Sequence, residues 1–391
     1  MQVWLHMVRQ FWIDKIKEKW EEKSVIWLMG VRRSGKTTLC KSIDDVDYYD
    51  CELPRVRNSL KDPEDFFQRL KSNVVALDEI HRLDNASEIL KIGADHFPQI
   101  KIIATGSSTL AAGKKFKDTL TDRKRTILLP PLALEDLSDF KKEDLLFRMQ
   151  RGGLPPFFLA KTFPESGFQE WLDSFWAKDI EELFNIEKKS AFLKFFELFA
   201  LQSGGIFEAK SFASPCGVSH TTIASYLRVL EETHIAYVLR PFHSNQSKEI
   251  ISAPKCYFFD TGFINFFKGT DKIKDELKGF YFEHLVLNQL LTKIPKENIH
   301  YWRDKSKNEL DLVLKMRGKD PVAIECRWTS TNFDSKALRK FREIHKNGIN
   351  IIVSQDTKKV LHKQFDGLKT DIVPIGQLMK YLKAQDILKN A

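Results

Sequence analysis

Short apolar runs alternate with helix-like stretches over residues 24–130 of this 391-residue chain. Five of the runs have the length of buried strands: "SVIWLM", "VDYYD", "NVVALD", "KIIAT" and "TILLP". This alternation predicts a parallel sheet with helices on both faces. Ahead of the sheet, apolar residues recur at helical spacing and predict an amphipathic N-terminal helix. They are Leu5, Val8, Trp12, Ile16 and Trp20.

The pattern changes twice further along the chain. Residues 131–245 are mainly helical and rich in Phe and Leu, and after "APKCYFFDTG" a helix near 276–292 is followed by short strands. We therefore predict four parts, with the class α/β at both ends of the chain. They are an α/β domain with its N-terminal helix at 1–130, a helical part at 131–185, a helix-turn-helix with a hairpin at 186–256, and a second α/β domain at 257–391.

Composition narrows the class of protein. With 42% hydrophobic and 29% charged residues, the chain is globular. Its 62 basic and 53 acidic residues give a net charge of +9, which suits a nucleic-acid partner and equally a mildly basic enzyme. Its five cysteines form no CxxC pair, which indicates a reducing compartment. Charges interrupt every apolar run before the ~18 residues that a membrane span needs, so we expect a cytoplasmic protein without membrane contact.

A glycine-rich motif follows the first predicted strand. The segment "GVRRSGKTT" has the spacing G-x-x-x-x-G-K-[ST], in which the backbone N–H groups surround a phosphate. Lys36 adds positive charge at the β- and γ-phosphates, and the Thr37 hydroxyl can bind Mg²⁺. A helix beginning at the end of the motif directs its N-terminus at the anion. The candidate residues for ATP are Gly30, Val31, Arg32, Arg33, Ser34, Gly35, Lys36, Thr37 and Thr38.

Two further strands end in polar residues. "VVALDEI" puts Asp78 and Glu79 after a buried strand, where Asp78 suits the Mg²⁺ shell and Glu79 suits polarising the attacking water. "ATGSS" offers Thr105, with Ser107 behind it, as a polar group near the γ-phosphate. The alternative is that these residues are ordinary strand ends.

A basic segment precedes the last predicted strand. "KKFKDTLTDRKRTILLP" carries Arg123 and Arg125, and an Arg there could reach the nucleotide of a neighbouring subunit as a finger. We take Arg123 for this catalytic role, which implies a homo-oligomer. The alternative is a solvated basic face.

These residues resemble the AAA+ ATPases, and most of all a prokaryotic family that joins an AAA-type ATPase to a C-terminal domain of unknown function. The matching segments span residues 25 to about 328: "GVRRSGKTTL", "LDEIHRL", "IATGSS", "LLPPLALEDL", "GGLP", "YFFDTGF", "GFYFEHLV" and "ELDLVL". The resemblance implies a P-loop AAA+ sheet at 1–130 and a helical lid at 131–185. The family usually has Gly before the Arg at 123, where this chain has Asp122.

The pattern of the third part predicts a winged helix. "KSFASPCGVSHTTIASYLRVLEETHIAYVLRPF" has the order helix, turn, helix, strand. Four polar positions of the second helix could face a DNA groove, with Arg228 near a phosphate. Since the helix has little positive charge and ends in Glu231 and Glu232, a protein partner fits as well. The four positions are His220, Thr221, Thr222 and Ser225.

The last part carries acids on a predicted hairpin. Asp311 and Glu325 are equidistant from Gly318, so that their Cβ atoms would lie ~4.5–5.5 Å apart across the hairpin and could bind one divalent cation. Glu283 interrupts the apolar face of "GFYFEHLVLNQLL" and needs a partner, either a metal or Arg327. The three acids resemble those of the PD-(D/E)XK nuclease fold, in which a Lys usually stands where Arg327 is. The alternative is a salt-bridged hairpin.

Together these patterns predict a Mg²⁺-dependent, ATP-hydrolysing AAA+ ATPase coupled to a DNA-binding, nuclease-like C-terminal module that cuts DNA slowly or not at all. The alternative is an ATP-dependent regulatory switch whose C-terminal modules bind protein without nuclease activity. The expected partners are ATP, DNA and further copies of the chain.

Overall fold

The chain folds into two compact units in a computed structural model that describes residues 7–106, 120–184, 186–243, 253–331 and 333–388. The first unit consists of Met1–Asp144, Gly153–Glu187 and Glu232–Ile235. The second consists of Leu145–Gly152, Lys188–Glu231 and Ala236–Ala391. Within the described ranges, every helix is too short or too polar to cross a membrane.

The first unit is built on a parallel sheet of five strands, which confirms the prediction. The strand order is β2-β3-β4-β1-β5. Arg125 lies inside β5 and not ahead of it, since this strand begins two residues earlier than its apolar run indicated. The strands are β1 (Val25–Met29), β2 (Val46–Asp50), β3 (Val74–Asp78), β4 (Lys101–Thr105) and β5 (Lys124–Leu128).

Helices cover both faces of this sheet. Val25 and Trp27 of β1 pack in one core with apolar residues of the third to fifth helices, and Ile26 and Leu28 pack in the other with the first two. Trp12 belongs to that second core, as the N-terminal apolar pattern predicted, whereas Leu5 lies outside the described residues. The helices are α1 (Gln10–Glu22), α2 (Lys36–Lys41), α3 (Pro54–Ser59), α4 (Pro63–Gln68) and α5 (Ala86–His96).

A second group of helices follows β5. They are α6 (Leu134–Asp139), α7 (Leu145–Arg151), α8 (Pro155–Phe158), α9 (Glu165–Phe175) and α10 (Glu182–Phe184), of which α7 belongs to the second unit. A π-helical turn, Trp176–Glu181, joins α9 to α10. In the first unit, the buried Arg9 guanidinium binds both carboxylate oxygens of Asp136 on α6, at 2.9 and 2.6 Å, and also donates to the carbonyls of Ser34 and Pro130. The segment ahead of α1 is thereby fixed to α6 and to the glycine-rich loop.

The second unit contains a three-stranded antiparallel sheet of order β6-β8-β7 and helices around it. Aromatic residues of the first of these helices, Phe195 and Phe199, pack against Phe207 and contribute to the core. The elements in chain order are α11 (Lys189–Leu201), β6 (Gly205–Ile206), α12 (Ala209–Cys216), α13 (His220–Glu232), β7 (Ala236–Leu239), β8 (Lys255–Phe258) and α14 (Thr261–Phe267).

A six-stranded mixed sheet completes the second unit, in the order β13-β14-β12-β11-β10-β9. The predicted hairpin is confirmed, because β10 and β11 pair antiparallel with Leu312 opposite Ile324, a register that puts Asp311 opposite Glu325. The strands are β9 (Ile299–Arg303), β10 (Glu309–Leu314), β11 (Val322–Arg327), β12 (Asn350–Ser354), β13 (Leu361–Phe365) and β14 (Leu368–Pro374). The helices are α15 (Lys278–Leu291), α16 (Lys336–Ile344) and α17 (Leu378–Ala384).

Candidate functional site

The glycine-rich loop joins β1 to α2 in the first unit. Gly30 is indispensable to its path, because its φ is +155° and a Cβ there would lie 2.5 Å from the Leu129 carbonyl oxygen. Gly35, at φ +97°, turns the chain into α2. The Lys36 ammonium donates to the carbonyls of Gly30 at 2.8 Å and Val31 at 3.2 Å, so that it lies across the loop. The loop therefore has the turn and the central cation that a phosphate site needs.

The carboxylate of Asp78, at the end of β3, accepts hydrogen bonds from three hydroxyl groups. Its Oδ2 accepts from Thr37 Oγ1 and from the Tyr48 hydroxyl, both at 2.7 Å, and its Oδ1 accepts from the Thr105 hydroxyl. The two predicted Mg²⁺ ligands, Thr37 and Asp78, are thus in contact. Tyr48 was missed by the sequence analysis, although its position on the adjacent strand β2 is compatible with this contact.

Glu79 follows Asp78 in the left-handed region, at φ 55°. Its backbone N–H donates to Thr105 Oγ1 at 2.9 Å, and its carboxylate lies 3.2 Å from His81 Nδ1. Burial alone would raise the pKa of Glu79, but the hydrogen bond from His81 and the charge of Lys36 outweigh it and lower that pKa. Glu79 is therefore a carboxylate at neutral pH, as a group that polarises water must be.

Two arginines of the loop bind helix α9 and the π-helical turn. Arg32 Nε pairs with Asp179 Oδ2 at 2.9 Å, while the Arg32 carbonyl accepts from Trp171 Nε1, also at 2.9 Å. Arg33 is exposed and lies 3.7 Å from Glu170. A cavity of about 390 Å³ is lined by the glycine-rich loop together with Lys36, Glu79 and Asp179. Asp179 was not among the predicted site residues.

An apolar recess of about 50 Å³ lies on the α2 side of the same loop. Gly35 and Thr38 line it at the end of the phosphate loop. Its other lining residues lie before α1, on α2, directly after α6, and on or directly after α8. They are Met7, Arg9, Leu39, Phe140, Pro155 and Leu159.

Arg123 lies directly before β5, and its Nε pairs with Asp95 on α5 at 2.7 Å. Asp122 has a φ of 60°, a conformation that favours glycine, which gives a physical reason for the Gly that the related family usually has here. The role of Arg123 as an arginine finger stays a prediction. Ser107 lies outside the described residues.

In the second unit, Glu283 is held by a lysine that the sequence analysis missed. Lys255, only 3% exposed, binds Glu283 at 2.7 Å and Glu309 at 2.8 Å, and the Tyr257 hydroxyl also donates to Glu283. The partner observed for Glu283 is thus Lys255 and not Arg327, while a metal at this site stays a prediction. The ammonium reaches it from β8, 28 residues earlier in the chain.

The two acids of the hairpin have separate partners. Asp311 Oδ2 accepts from the Cys326 N–H at 2.8 Å, and Arg327 Nη2 donates to Glu325 at 2.9 Å. Burial raises the pKa of Asp311 to about 7, with the Glu283 charge adding to the effect. Burial, followed by the charge of Asp311, also raises the pKa of Glu325.

Asp311 and Glu283 border an open cavity of about 750 Å³, whose lining also includes Lys278 and Arg327. In the part of the chain that the structure describes, no group of three or more His, Cys, Asp or Glu side chains could hold a metal ion. The Glu325–Arg327 ion pair is the contact that the salt-bridged alternative expects.

On α13, the predicted groove-facing residues are exposed with one exception. His220, Thr221, Ser225 and Arg228 are exposed, whereas Thr222 is half-buried. The hydroxyls of Thr222 and Ser219 lie 2.8 Å apart, which ties Thr222 to the start of the helix instead of leaving it free for a groove.

Three family models match consecutive parts of the chain. Residues 22–138 match a model described as an AAA domain. Residues 142–274 and 278–378 match two domains of unknown function, DUF8612 and DUF4143. The first match and the parallel five-stranded sheet support a P-loop ATPase domain of the AAA+ type over residues 22–138.

Two curated relatives are uncharacterized proteins of Mycobacterium bovis and Mycobacterium tuberculosis. Each is 27% identical over 327 residues, which cover 81% of this chain and 73% of the relative.

Solved structures give weaker likenesses. A signal transduction ATPase with numerous domains from Pyrococcus horikoshii has a TM-score of 0.26 at 12% identity, over 73% of this chain and 45% of that one, so the present chain spans less than half of it. A DNA polymerase III gamma subunit-related protein from Thermotoga maritima has a TM-score of 0.26 at 13% identity, over 58% and 97%. Thermococcus gammatolerans McrB AAA+ hexamers with bound McrC have a TM-score of 0.21 at 13% identity, over 59% and 46%. These scores are too low to establish a shared fold.

Proposed function

We propose that this protein binds and hydrolyses ATP with Mg²⁺ and uses the ATP cycle to act on DNA through its C-terminal modules. The observation that carries the ATPase assignment is the network at the ends of β3 and β4. Thr37, Asp78 and Thr105 are joined there by hydrogen bonds, with Glu79 held through its backbone beside them.

The residues present fit a magnesium ion. Thr37 Oγ1 and Asp78 Oδ2 are oxygen ligands that already lie 2.7 Å apart, and Mg²⁺ bound with substrate phosphates commonly takes one or two protein ligands. When bound, the ion would neutralise phosphate charge and orient the β- and γ-phosphates. Thr37 and Asp78 would hold it.

The remaining roles fall to side chains of the chain itself. Lys36 would exchange its bonds to the loop carbonyls for the β- and γ-phosphate oxygens. Glu79 would orient the attacking water and accept its proton. Thr105 is a positioning residue, because its hydroxyl links the Asp78 carboxylate to the Glu79 N–H.

The apolar recess beside α2 suits the adenine base. It adjoins Gly35 and Thr38 at the end of the phosphate loop, so that a nucleotide with its phosphates at Lys36 would extend toward Phe140 and Leu159. Its apolar walls would exclude water from the base.

Connectivity supports the proposal for the C-terminal modules. The order α11-β6-α12-α13-β7-β8, with an antiparallel sheet, is compatible with a winged helix and supports that part of the proposal. The segment from α15 to β12 is compatible with the order of a PD-(D/E)XK nuclease core. It has a helix, an antiparallel meander of three strands, a second helix and a parallel strand. The net charge of +9 suits a DNA partner.

A regulatory switch that binds protein is the second candidate, and a specific observation favours it. The site acids of the second unit are already paired with cations, Glu283 with Lys255 and Glu325 with Arg327. Such pairing competes with a divalent metal and leaves the module suited to binding without cutting.

The deciding experiment is ATP turnover of the purified protein with and without duplex DNA, for Lys36→Ala and Glu79→Gln. Lys36→Ala should weaken nucleotide binding about tenfold or more. Glu79→Gln should bind ATP but hydrolyse it about 100-fold more slowly. Lys61→Ala and Glu64→Gln, which change exposed residues of the same unit, are the matched controls.

Unchanged turnover in both site variants would rule out the ATPase assignment. Stimulation of hydrolysis by DNA, together with DNA binding that weakens steeply with salt, would favour the DNA-acting protein. Hydrolysis that is insensitive to DNA would favour the switch.

A further inference from the structure

The ion pair between Arg32 and Asp179 lies inside the nucleotide cavity. Both side chains line it, together with Lys36 and Glu79, and each is about one quarter exposed, 27% for Arg32 and 26% for Asp179. Asp179 belongs to the π-helical turn Trp176–Glu181, far from the loop in sequence. None of the phosphate-binding roles assigned above explains why an acid should stand there.

Charge makes Asp179 an unfavourable neighbour for a triphosphate. A carboxylate at this wall would repel the phosphates unless a cation neutralised it. Arg32 provides that neutralisation, and burial, which raises the pKa of Asp179, further indicates a carboxylate that depends on its partner. A phosphate entering the cavity would compete with Asp179 for the same guanidinium.

The backbone of Arg32 is fixed separately from its side chain. Trp171 Nε1 donates to the Arg32 carbonyl at 2.9 Å, so the loop stays attached to α9 whichever group the guanidinium binds. The side-chain pair is a single contact at 2.9 Å and is partly exposed, which makes it weak enough to be exchanged. A guanidinium can bind phosphate oxygens through two parallel hydrogen bonds.

We propose that Arg32 is the residue by which this site distinguishes ATP from ADP, and that Asp179 is its partner when no γ-phosphate is present. With ATP, Arg32 binds the γ-phosphate and releases Asp179 together with the π-helical turn. Single π-helical turns are rare, and those that occur are frequent at functional sites. This inference rests on the proposed ATP binding and adds a sensing residue and its counter-ion to it.

The test compares affinities for a non-hydrolysable ATP analogue and for ADP, measured by calorimetry on the full chain in Mg²⁺ buffer. Arg32→Met should lower the affinity for the analogue about tenfold or more and change the affinity for ADP much less, because it removes charged hydrogen bonds to the γ-phosphate only. Asp179→Asn should tighten analogue binding severalfold, because it frees Arg32 and removes a repulsive charge. Arg32→Lys, which keeps the charge but loses the planar fork, should fall between wild type and Arg32→Met.

Matched controls are Glu170→Gln, a neighbouring acid on α9 that pairs with the exposed Arg33, and Arg69→Met, which breaks an exposed pair with Asp65. Neither should change the ratio of the two affinities. Circular dichroism and thermal unfolding of each variant establish that it is folded.

A second readout follows the π-helical turn itself. In the wild type, hydrogen exchange of residues 176–184 should quicken with the ATP analogue and not with ADP, and in Asp179→Asn it should already be fast without nucleotide. An equal loss of both affinities in Arg32→Met, or weaker analogue binding in Asp179→Asn, would overturn the inference while leaving ATP binding intact. A wild-type protein that binds neither nucleotide would instead overturn the proposed function.

Discussion

Arg327 determines how the C-terminal acids can be used. Its guanidinium donates to Glu325 at 2.9 Å, and it stands where the nuclease-like fold that we propose for this module usually has a Lys. A guanidinium is planar, rarely loses its proton and readily forms paired bonds with carboxylates, whereas a lysine ammonium is a compact point charge. The pair with Glu325 therefore occupies an oxygen that a metal would need.

Arg327→Lys should raise Mg²⁺-dependent nicking of supercoiled plasmid above the slow or absent cutting of the wild type. The shorter reach of Lys and its lack of a planar fork would leave Glu325 freer to bind a cation. Nicking is measured in Mg²⁺ and in Mn²⁺, with Arg317→Lys in the exposed turn of the same hairpin as the control. Robust cutting by the native chain that Asp311→Ala abolishes would show that Arg327 is no obstacle.

At the scale of elements, the contact between Arg9 and Asp136 joins the segment before α1 to α6. Asp136→Ala would leave a buried guanidinium without its carboxylate, and breaking such a buried pair costs about 3–5 kcal/mol. We expect the free energy of unfolding, measured by urea denaturation with circular dichroism, to fall by that amount. Asp44→Ala, which removes an exposed pair with Lys17 at 3.3 Å, should cost at most about 1 kcal/mol. Equal losses in the two variants would contradict the assigned importance of the buried pair.

Strands β1, β3 and β4, with continuous apolar sequence, were predictable, and so was β2 with its two Asp residues, whereas the basic start of β5 was not. β1, β3 and β4 are buried on both faces, so their sequences are continuously apolar and predict strands of a parallel sheet. The start of β5 was misplaced because this strand lies at the sheet edge, where Lys124 and Arg125 can remain partly exposed. Local apolarity carries no information about such residues.

The same limit applies to the candidate sites. The loop residues and the pair Asp78–Glu79 could be found because each is contiguous in sequence and follows a strand. Asp179 meets Arg32 across 147 residues, and Lys255 meets Glu283 across 28, and no spacing rule joins them. Only the packing of the chain brings these charges together.

At the scale of the whole molecule, ATP hydrolysis should need a second copy of the chain. Arg123 binds Asp95 on the surface of its own subunit, in an exposed pair that a neighbour's nucleotide could displace. An arginine finger contributes about 10³–10⁵ in turnover, so Arg123→Ala should be nearly inactive. Glu79→Gln should be nearly inactive too, for lack of the group that orients water.

Mixing these two inactive variants in equal amounts should restore roughly a quarter of the wild-type ATP turnover, because in a head-to-tail ring that fraction of random interfaces pairs an intact Glu79 with an intact Arg123. Formation of mixed assemblies is checked by pulling down one tagged variant with the other. The control mixes Arg123→Ala with the double variant Arg123→Ala/Glu79→Gln, in which every interface lacks the arginine and turnover should stay at background. Mixed assemblies that form but remain inactive would show that Arg123 does not act across subunits, and would leave it as part of a basic face.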